Sequence, residues 1–452
     1  MVHLFCLRGE KLAFDPVSGS LHQLDEAAWR VVSLLLEGKD PLAEGKELEE
    51  AYREVEELRS EGLLFTPDRF SSLYEPPSFA PKSLCLMVAQ ACNLRCNYCF
   101  AGEGDYGAAG IMSEEVARSA VDFLLESAGP RRTVEIDFFG GEPLLNFPVV
   151  VATVRYGKER ARKLGKEISF TLTTNAVLLD EEKERFLLEE EVNLVLSLDG
   201  RPEVHDRFRR FPDGTGSYRQ VLDNIRRCYH NWAFRPRSSY CYLRGTFTRM
   251  NLDFSRDFKH LADQGFRHIS LEPVVAPPSA PYALREEDLP QLLTEYEELL
   301  TIYLERWQQG EEVYFFHFEL DPTGGPCLNK RLTGCGAGFS YVAVDIKGDL
   351  YPCHQFVGRE EFRLGSLKEG LTRPDLVDEF RHAHVYRKTP CSSCWARFFC
   401  GGGCHAAAYF VNGSLLEPYS LGCALMRRRL ECALYALAHK KASVLPNSEK
   451  AI

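Results

Sequence analysis

Three cysteines, Cys92, Cys96 and Cys99, stand at a Cys-x3-Cys-x2-Cys spacing just after an apolar run that reads as a strand. Three thiolates so spaced can bind three irons of a 4Fe–4S cube. The fourth iron is then left without a protein ligand and is open to the amino and carboxylate groups of a substrate. Seven more cysteines follow a second pattern: Cys335-x12-Gly348-x4-Cys353, then Cys391-x2-Cys394-x5-Cys400-x3-Cys404, then Cys423 after eighteen residues. The Cys-x2-Cys spacing also suits tetrahedral zinc, and a zinc knuckle short of one ligand or chance clustering are the alternatives for the first group. Cys6, Cys85, Cys228, Cys241 and Cys432 have no ligand spacing and read as buried structural thiols. His354 and His405 each adjoin a cysteine of the second pattern, where they could donate hydrogen bonds, although lone histidines are more often not ligands.

The 452-residue chain is too long for one ordinary core and suggests two or three domains. Its 45% apolar and 26% charged shares are those of a soluble globular protein. A net charge of −11 disfavours nucleic acid as the main partner. No apolar run is long enough to span a bilayer, and the acidic start does not read as a signal peptide, so a cytoplasmic protein with no membrane partner is expected. In a reducing compartment, the clusters among sixteen cysteines point to metal ligation rather than disulfides.

The elements that must position these thiols fall into blocks. Residues 1–72 combine three short strand-like runs with two amphipathic helices, the first capped by Asp25, and resemble a small winged-helix module. Residues 73–83 form a proline-stiffened linker. From 84 to 310, six strand candidates alternate with helices: Leu84–Ala89, Thr133–Phe138, Ile168–Thr173, Asn193–Leu198, Tyr240–Thr246 and His268–Leu271. This alternation predicts an α/β fold, a partial (β/α)6 barrel with functional loops at the strand C-termini. Residues 311–440 read as loop-rich and organised by metal rather than by apolar burial. Residues 441–452 read as a frayed tail.

The Cys92–Cys99 loop resembles the radical S-adenosylmethionine superfamily. Gly140-Gly141-Glu142-Pro143 after the second strand matches the family's glycine-glycine-glutamate motif, and Thr173-Thr174-Asn175 and Ser197-Leu198-Asp199-Gly200 match later strand-end positions. Ala176 stands where the family usually has glycine. The resemblance implies that Gly140, Gly141 and Glu142 hold the methionine amino group. Thr174, Asn175, Ser197 and Asp199 would line the ribose and carboxylate, Arg209 would reach the carboxylate, and Tyr98 would shield the cluster or lie near adenine. In that family the cluster donates an electron, the sulfonium bond breaks, and a 5′-deoxyadenosyl radical abstracts a hydrogen.

The second array resembles the SPASM extension of peptide-modifying radical enzymes, here a cysteine-rich C-terminal domain. The implied cofactors are S-adenosyl-L-methionine and three 4Fe–4S clusters, one radical and two auxiliary. Cys391, Cys394, Cys400 and Cys423 would hold an outer auxiliary cluster; Cys335, Cys353 and Cys404 would hold an inner one. The inner cluster is completed by Cys327 or left open for a substrate cysteine. Trp395, Phe398 and Phe399 would keep water from the clusters. Residues 1–75 carry 8 Lys+Arg against 16 Asp+Glu, which fits a leader-peptide recognition module better than a DNA-binding one. Nearly the whole chain is similar to the maturases of cysteine-rich SCIFF peptides, on segments such as Val134–Leu144, Gly348–Phe356 and Thr323-Gly324-Gly325-Pro326-Cys327. That resemblance implies thioether formation from cysteine sulfur to an α-carbon of a precursor peptide, with flavodoxin or ferredoxin as electron donor. Carbon–carbon crosslinking and sulfatase-type Cys or Ser oxidation are the rival chemistries. A non-catalytic iron–sulfur electron carrier is the rival of another class.

Overall fold

The computed structural model describes residues 1–233 and 241–444. Its first unit is an antiparallel sheet in the order β1 (His3–Leu7), β2 (Glu10–Phe14), β3 (Leu21–Leu24). Arg8 (φ 53) and Gly9 (φ 83) make the two-residue hairpin between β1 and β2, a turn that needs positive φ at both positions. A helix at Glu26–Leu36 starts where Asp25 accepts the Ala28 N–H at 2.8 Å, and a second runs over Glu49–Ser60. One face of the sheet packs on these helices through Val2 and Ala13, against Val31, Val32, Leu34 and Val55. The other face sends Phe5, Leu7, Leu12 and Phe14 into the main core, so the unit is seated on the rest of the molecule. Cys6 is exposed, contrary to the expected buried thiol, because strand alternation turns it away from both Phe5 and Leu7.

Six parallel strands follow: β4 (Ser83–Gln90), β5 (Thr133–Gly140), β6 (Glu167–Thr174), β7 (Asn193–Ser197), β8 (Cys241–Phe247) and β9 (His268–Pro273). Each pairs with the next in parallel, β4 and β5 with a register shift between Met87 and Ala89. Every residue of β4 is buried, as expected of a parallel strand covered on both faces. β8 buries Cys241, Leu243, Gly245 and Phe247 while Arg244, between them, is exposed on the opposite face. Tyr240, at the expected start of that strand, lies outside the described residues. The fold is α/β, with a central parallel sheet.

The sheet does not stop at residue 310. β10 (Tyr314–Phe315) pairs with β9, and β11 (Tyr341–Val344) lies parallel to β4, Tyr341 opposite Ser83. The short strands β12 (Asp349–Tyr351), β13 (Gly365–Ser366) and β14 (Gly370–Leu371) continue it antiparallel. Two expectations change here. Val342, Val344, Leu350, Phe356, Phe362 and Phe380 are buried in the same core as the barrel, so this region has apolar burial of its own as well as its thiols. A helix at Ser420–Val444 runs past residue 441, where a tail was expected, and residues 445–452 lie outside the described ones. Among the described residues no helix is long and apolar enough to cross a membrane.

Candidate active site

The first cysteine loop leaves β4 and is gripped from two sides. Arg209-Arg210 pairs antiparallel with Arg95-Cys96, and the Asn97 N–H donates to the Phe208 carbonyl at 3.2 Å. Within the loop, the Cys99 N–H donates to the Cys96 carbonyl at 2.9 Å, and Arg95 Nη1 donates to the Cys92 carbonyl at 2.7 Å. A Cβ on Gly104 (φ +88) would stand 2.5 Å from Cys92 Cβ, so only glycine lets the following turn close over the cysteine. Burial, then the charges of Glu142 and Cys99, push the Cys92 thiol up to about 11. Burial pushes Cys96 up to about 12, Cys99 and Cys92 adding to it and Arg209 opposing.

The glycine-glycine-glutamate segment ends β5 beside this loop. A Cβ on Gly140 (φ +132) would sit 2.1 Å from the Ala89 carbonyl oxygen, and one on Gly141 2.2 Å from that of Ala91. The close approach these glycines permit is therefore to the backbone leading into Cys92. Glu142 is fully buried. Its Oε1 accepts from Thr174 Oγ1 (2.7 Å) and the Leu144 N–H (3.0 Å), and its Oε2 from the Asn175 N–H (2.8 Å). Burial lifts the carboxyl to about 7 against these three donors. Asn175 Nδ2 donates to Asn93 Oδ1 at 2.8 Å and lies 3.7 Å from Cys92 Sγ, tying the β6 end to the cysteine loop. Ala176 has φ +61, the left-handed region that glycine enters without cost, which accounts for the glycine usual there.

A second cluster forms at the β7 end. Asp199 accepts from Arg209 Nε at 3.1 Å, from the Tyr98 hydroxyl and from the Thr246 N–H at 3.1 Å. The Arg209 guanidinium lies 5.6 Å from the Tyr98 ring centroid. His205 Nδ1 takes the Asp199 N–H at 3.4 Å, Nε2 faces Ser217 Oγ at 3.0 Å, and burial lowers this imidazole to about 4. Ser197 lies at the end of β7 in register with Arg244. The structure thus joins Tyr98, Asp199 and Arg209 into one unit and Glu142, Thr174 and Asn175 into another, both against the cysteine loop. Sequence reasoning missed Asn93 and Thr246. Asn93 lies inside the Cys-x3-Cys spacing, and Thr246 is visible only as another strand-end residue.

The seven C-terminal thiols separate into two groups by mutual influence. Cys391 and Cys423 are pushed up by burial, to about 12 and about 11, with Cys400 and Cys394 adding to both. Cys335 and Cys353 are raised by burial and by Cys404, and Cys353 also by Cys335. Cys327 is exposed at the start of the Leu328–Thr333 helix. Gly401, Gly402 and Gly403 all have positive φ, and the Gly402 and Gly403 N–H groups turn toward Cys400, a backbone nest suited to an anionic sulfur. Cys404 caps the His405–Asn412 helix, taking the Ala407 N–H at 3.5 Å. Cys400, Cys404 and Cys423 line a cavity of about 310 Å³ together with Arg244, Glu272 and Arg429.

Among the described residues, no three Cys, His, Asp or Glu side chains converge on a point that would hold one metal ion. For a multi-iron cluster the donor set does fit. Each group gathers thiols that oppose one another's ionisation and so call for a cation. The buried Asn93 Nδ2 beside Cys92 has no partner. The cavity borders thiols of both C-terminal groups.

Residues 86–232, from β4 through the helix before β8, match the family model of the Radical SAM superfamily. The chain carries a radical SAM domain. The cysteine-type anaerobic sulfatase-maturating enzyme of Clostridium novyi is 24% identical over 355 residues, covering 74% of this chain and 91% of that one. The solved structure of native anSMEcpe with bound AdoMet has a TM-score of 0.64 at 23% identity, over 80% of this chain and 100% of that one. Streptococcus suis SuiB bound to S-adenosylmethionine has a TM-score of 0.55 at 15% identity, over 93% and 98%. The radical SAM domain contributes the three-cysteine loop and both polar units; the seven thiols of the second array lie beyond it.

Proposed function

We propose that this chain is a radical S-adenosylmethionine maturase that installs thioether crosslinks, from cysteine sulfur to α-carbon, in a cysteine-rich precursor peptide of the SCIFF type. The observation that carries the reading is the division of the seven C-terminal thiols into Cys391, Cys394, Cys400 and Cys423 on one side and Cys335, Cys353 and Cys404 on the other. Four thiolates close a 4Fe–4S cube, whereas three leave a position for a substrate thiolate, with Cys327 exposed at a helix start. Bound S-adenosylmethionine and three clusters would supply hydrogen abstraction and an electron path.

The chain's own residues hold these groups. Cys92, Cys96 and Cys99 ligate the first cluster. Glu142, anchored by Thr174 and Asn175, keeps acceptor capacity on Oε2 for the methionine ammonium. Arg209 spends Nε on Asp199, which leaves its Nη donors for the carboxylate. Tyr98 packs between the cluster loop and this ion pair. The free edge of β3 receives the leader peptide as an added strand through main-chain hydrogen bonds. A cytoplasmic flavodoxin or ferredoxin supplies electrons.

Sulfatase-type oxidation is the second reading, favoured by the relative from Clostridium novyi. Anaerobic reaction with a cysteine-rich peptide encoded nearby separates the two by mass spectrometry. The expected product has lost two hydrogens per crosslink, keeps its sulfur and resists alkylation. A product lacking the cysteine sulfur would favour the second reading, and no cofactor cleavage by a fully reconstituted enzyme would refute both.

A further inference from the structure

Lys388 is fully buried, three residues before Cys391. An ammonium in such a place is costly unless anions face it and its three N–H groups find acceptors. One acceptor is the Gly402 carbonyl, 3.0 Å from Nζ. Gly402 is the middle of Gly401-Gly402-Gly403, the link between Cys400 of the four-thiol group and Cys404 of the three-thiol group. A Cβ there would stand 3.2 Å from Lys388 Cδ, so the side chain lies along that link. Among the described residues no carboxylate forms an ion pair with Lys388. The titratable groups around it are the thiols Cys391 and Cys400 from one set and Cys335 and Cys404 from the other, which are anionic only once they ligate iron. The Lys388 backbone is held by the His384 carbonyl at 3.1 Å, and its own carbonyl accepts from Ser392 at 3.3 Å, which fixes the side chain's root in the turn before Cys391.

We propose that Lys388 is a shared counter-cation wedged between the two auxiliary iron–sulfur sites, its remaining N–H groups on their sulfur atoms, and that it raises the reduction potential of both. The inference rests on the cluster reading above. A fixed positive charge favours the more negative, reduced state of a nearby cluster, as hydrogen bonds to cluster sulfur do. A shared cation would move the two couples together, which no cation near one site alone could do.

The test is a redox titration of the reconstituted full chain by electron paramagnetic resonance, the first cluster being identified by its response to S-adenosylmethionine. Wild-type protein should hold about twelve irons per chain; a wild type with about four would refute the cluster reading itself, and this inference with it. In Lys388→Met with full iron, both auxiliary couples should become harder to reduce by tenfold or more in the reduced-to-oxidised ratio, about 59 mV for one electron. The first cluster should not move, and Lys388→Arg should stay near wild type. An auxiliary couple unmoved in Lys388→Met overturns the proposal. If Lys388→Met loses auxiliary iron, Lys388→Arg and Lys388→Gln decide. Iron restored by Arg alone sustains the charge role; iron restored by both or by neither refutes it.

Discussion

The Glu142 carboxylate is held by Thr174 Oγ1 and by the Leu144 and Asn175 N–H groups, and burial lifts it to about 7. Glu142→Gln keeps the shape but turns one acceptor oxygen into a donor facing other donors. Binding of S-adenosylmethionine to the reconstituted variant should weaken tenfold or more, about 1.4 kcal/mol, in equilibrium titration. His205 provides a pH test. Its folded pKa, lowered by burial to about 4 from 6.5, means that its neutral form contributes stability in full above pH 6.5. That contribution is lost as pH falls from 6.5 toward 4. His205→Asn should flatten the acid limb of stability measured by denaturant titration, by up to roughly 3 kcal/mol at about 1.36 per pKa unit. Motif spacing made Tyr98, Glu142, Asp199 and Arg209 legible one by one. It could not reveal that Asp199 binds Arg209 and Tyr98 together, because that depends on the pairing of Arg209-Arg210 with Arg95-Cys96 in the loop after β4. Lys388 carries no spacing signal at all; its burial is a tertiary fact.

The six barrel strands were readable because parallel strands leave dense apolar runs separated by capped helices, and among the described residues their observed bounds differ from the expected ones by at most two residues at either end. β11 was not, since four residues carry too little period to declare a partner far away in sequence. The aromatic residues among the C-terminal thiols were expected to exclude water, and the structure shows what covers them. Trp395 stacks on His3 with centroids 3.8 Å apart, Phe399 meets Phe14, and Phe398 meets Phe70. Arg397, almost wholly buried, pairs with Asp68 at 2.8 Å to fasten the same contact. Asp68→Ala strands this cation and should cost about 3 kcal/mol or more in thermal or denaturant unfolding. Asp68→Ala combined with Arg397→Met should recover part of that loss, a coupling that a double-mutant cycle reads directly.

Across the whole molecule, the first unit and the Cys391–Cys404 loop share one packed boundary. The unit proposed to receive the leader thus packs on Trp395 and Phe399, beside the thiols of the proposed outer site. A chain lacking residues 1–72 uncovers Trp395 and Phe399. It should release the iron of the four-thiol group to a chelator faster than the intact chain does, falling toward about eight irons while the first cluster stays. The apolar faces involved were visible in the sequence as strand alternation, but which domain they would meet was not. Alternation names a buried face without naming its partner.

The parallel pairing of β4 with β11 also sets a timetable for the growing chain. Ser83 waits for Tyr341, roughly 250 residues downstream, a span that takes tens of seconds to synthesise at about 5–20 residues per second. Throughout that interval the stretch from Ser83 to Leu86 is open on one side, Gly110–Ile111 covering only the strand's end at Ala89 and Gln90, and an open edge is the kind of surface on which nascent chains stick to one another. A chain ended at residue 310 keeps that edge for good and should aggregate when expressed, whereas one ended at residue 444 should not, as sedimentation of the two lysates would show. That edge is covered only when the four-residue strand of the cysteine-rich region has been made.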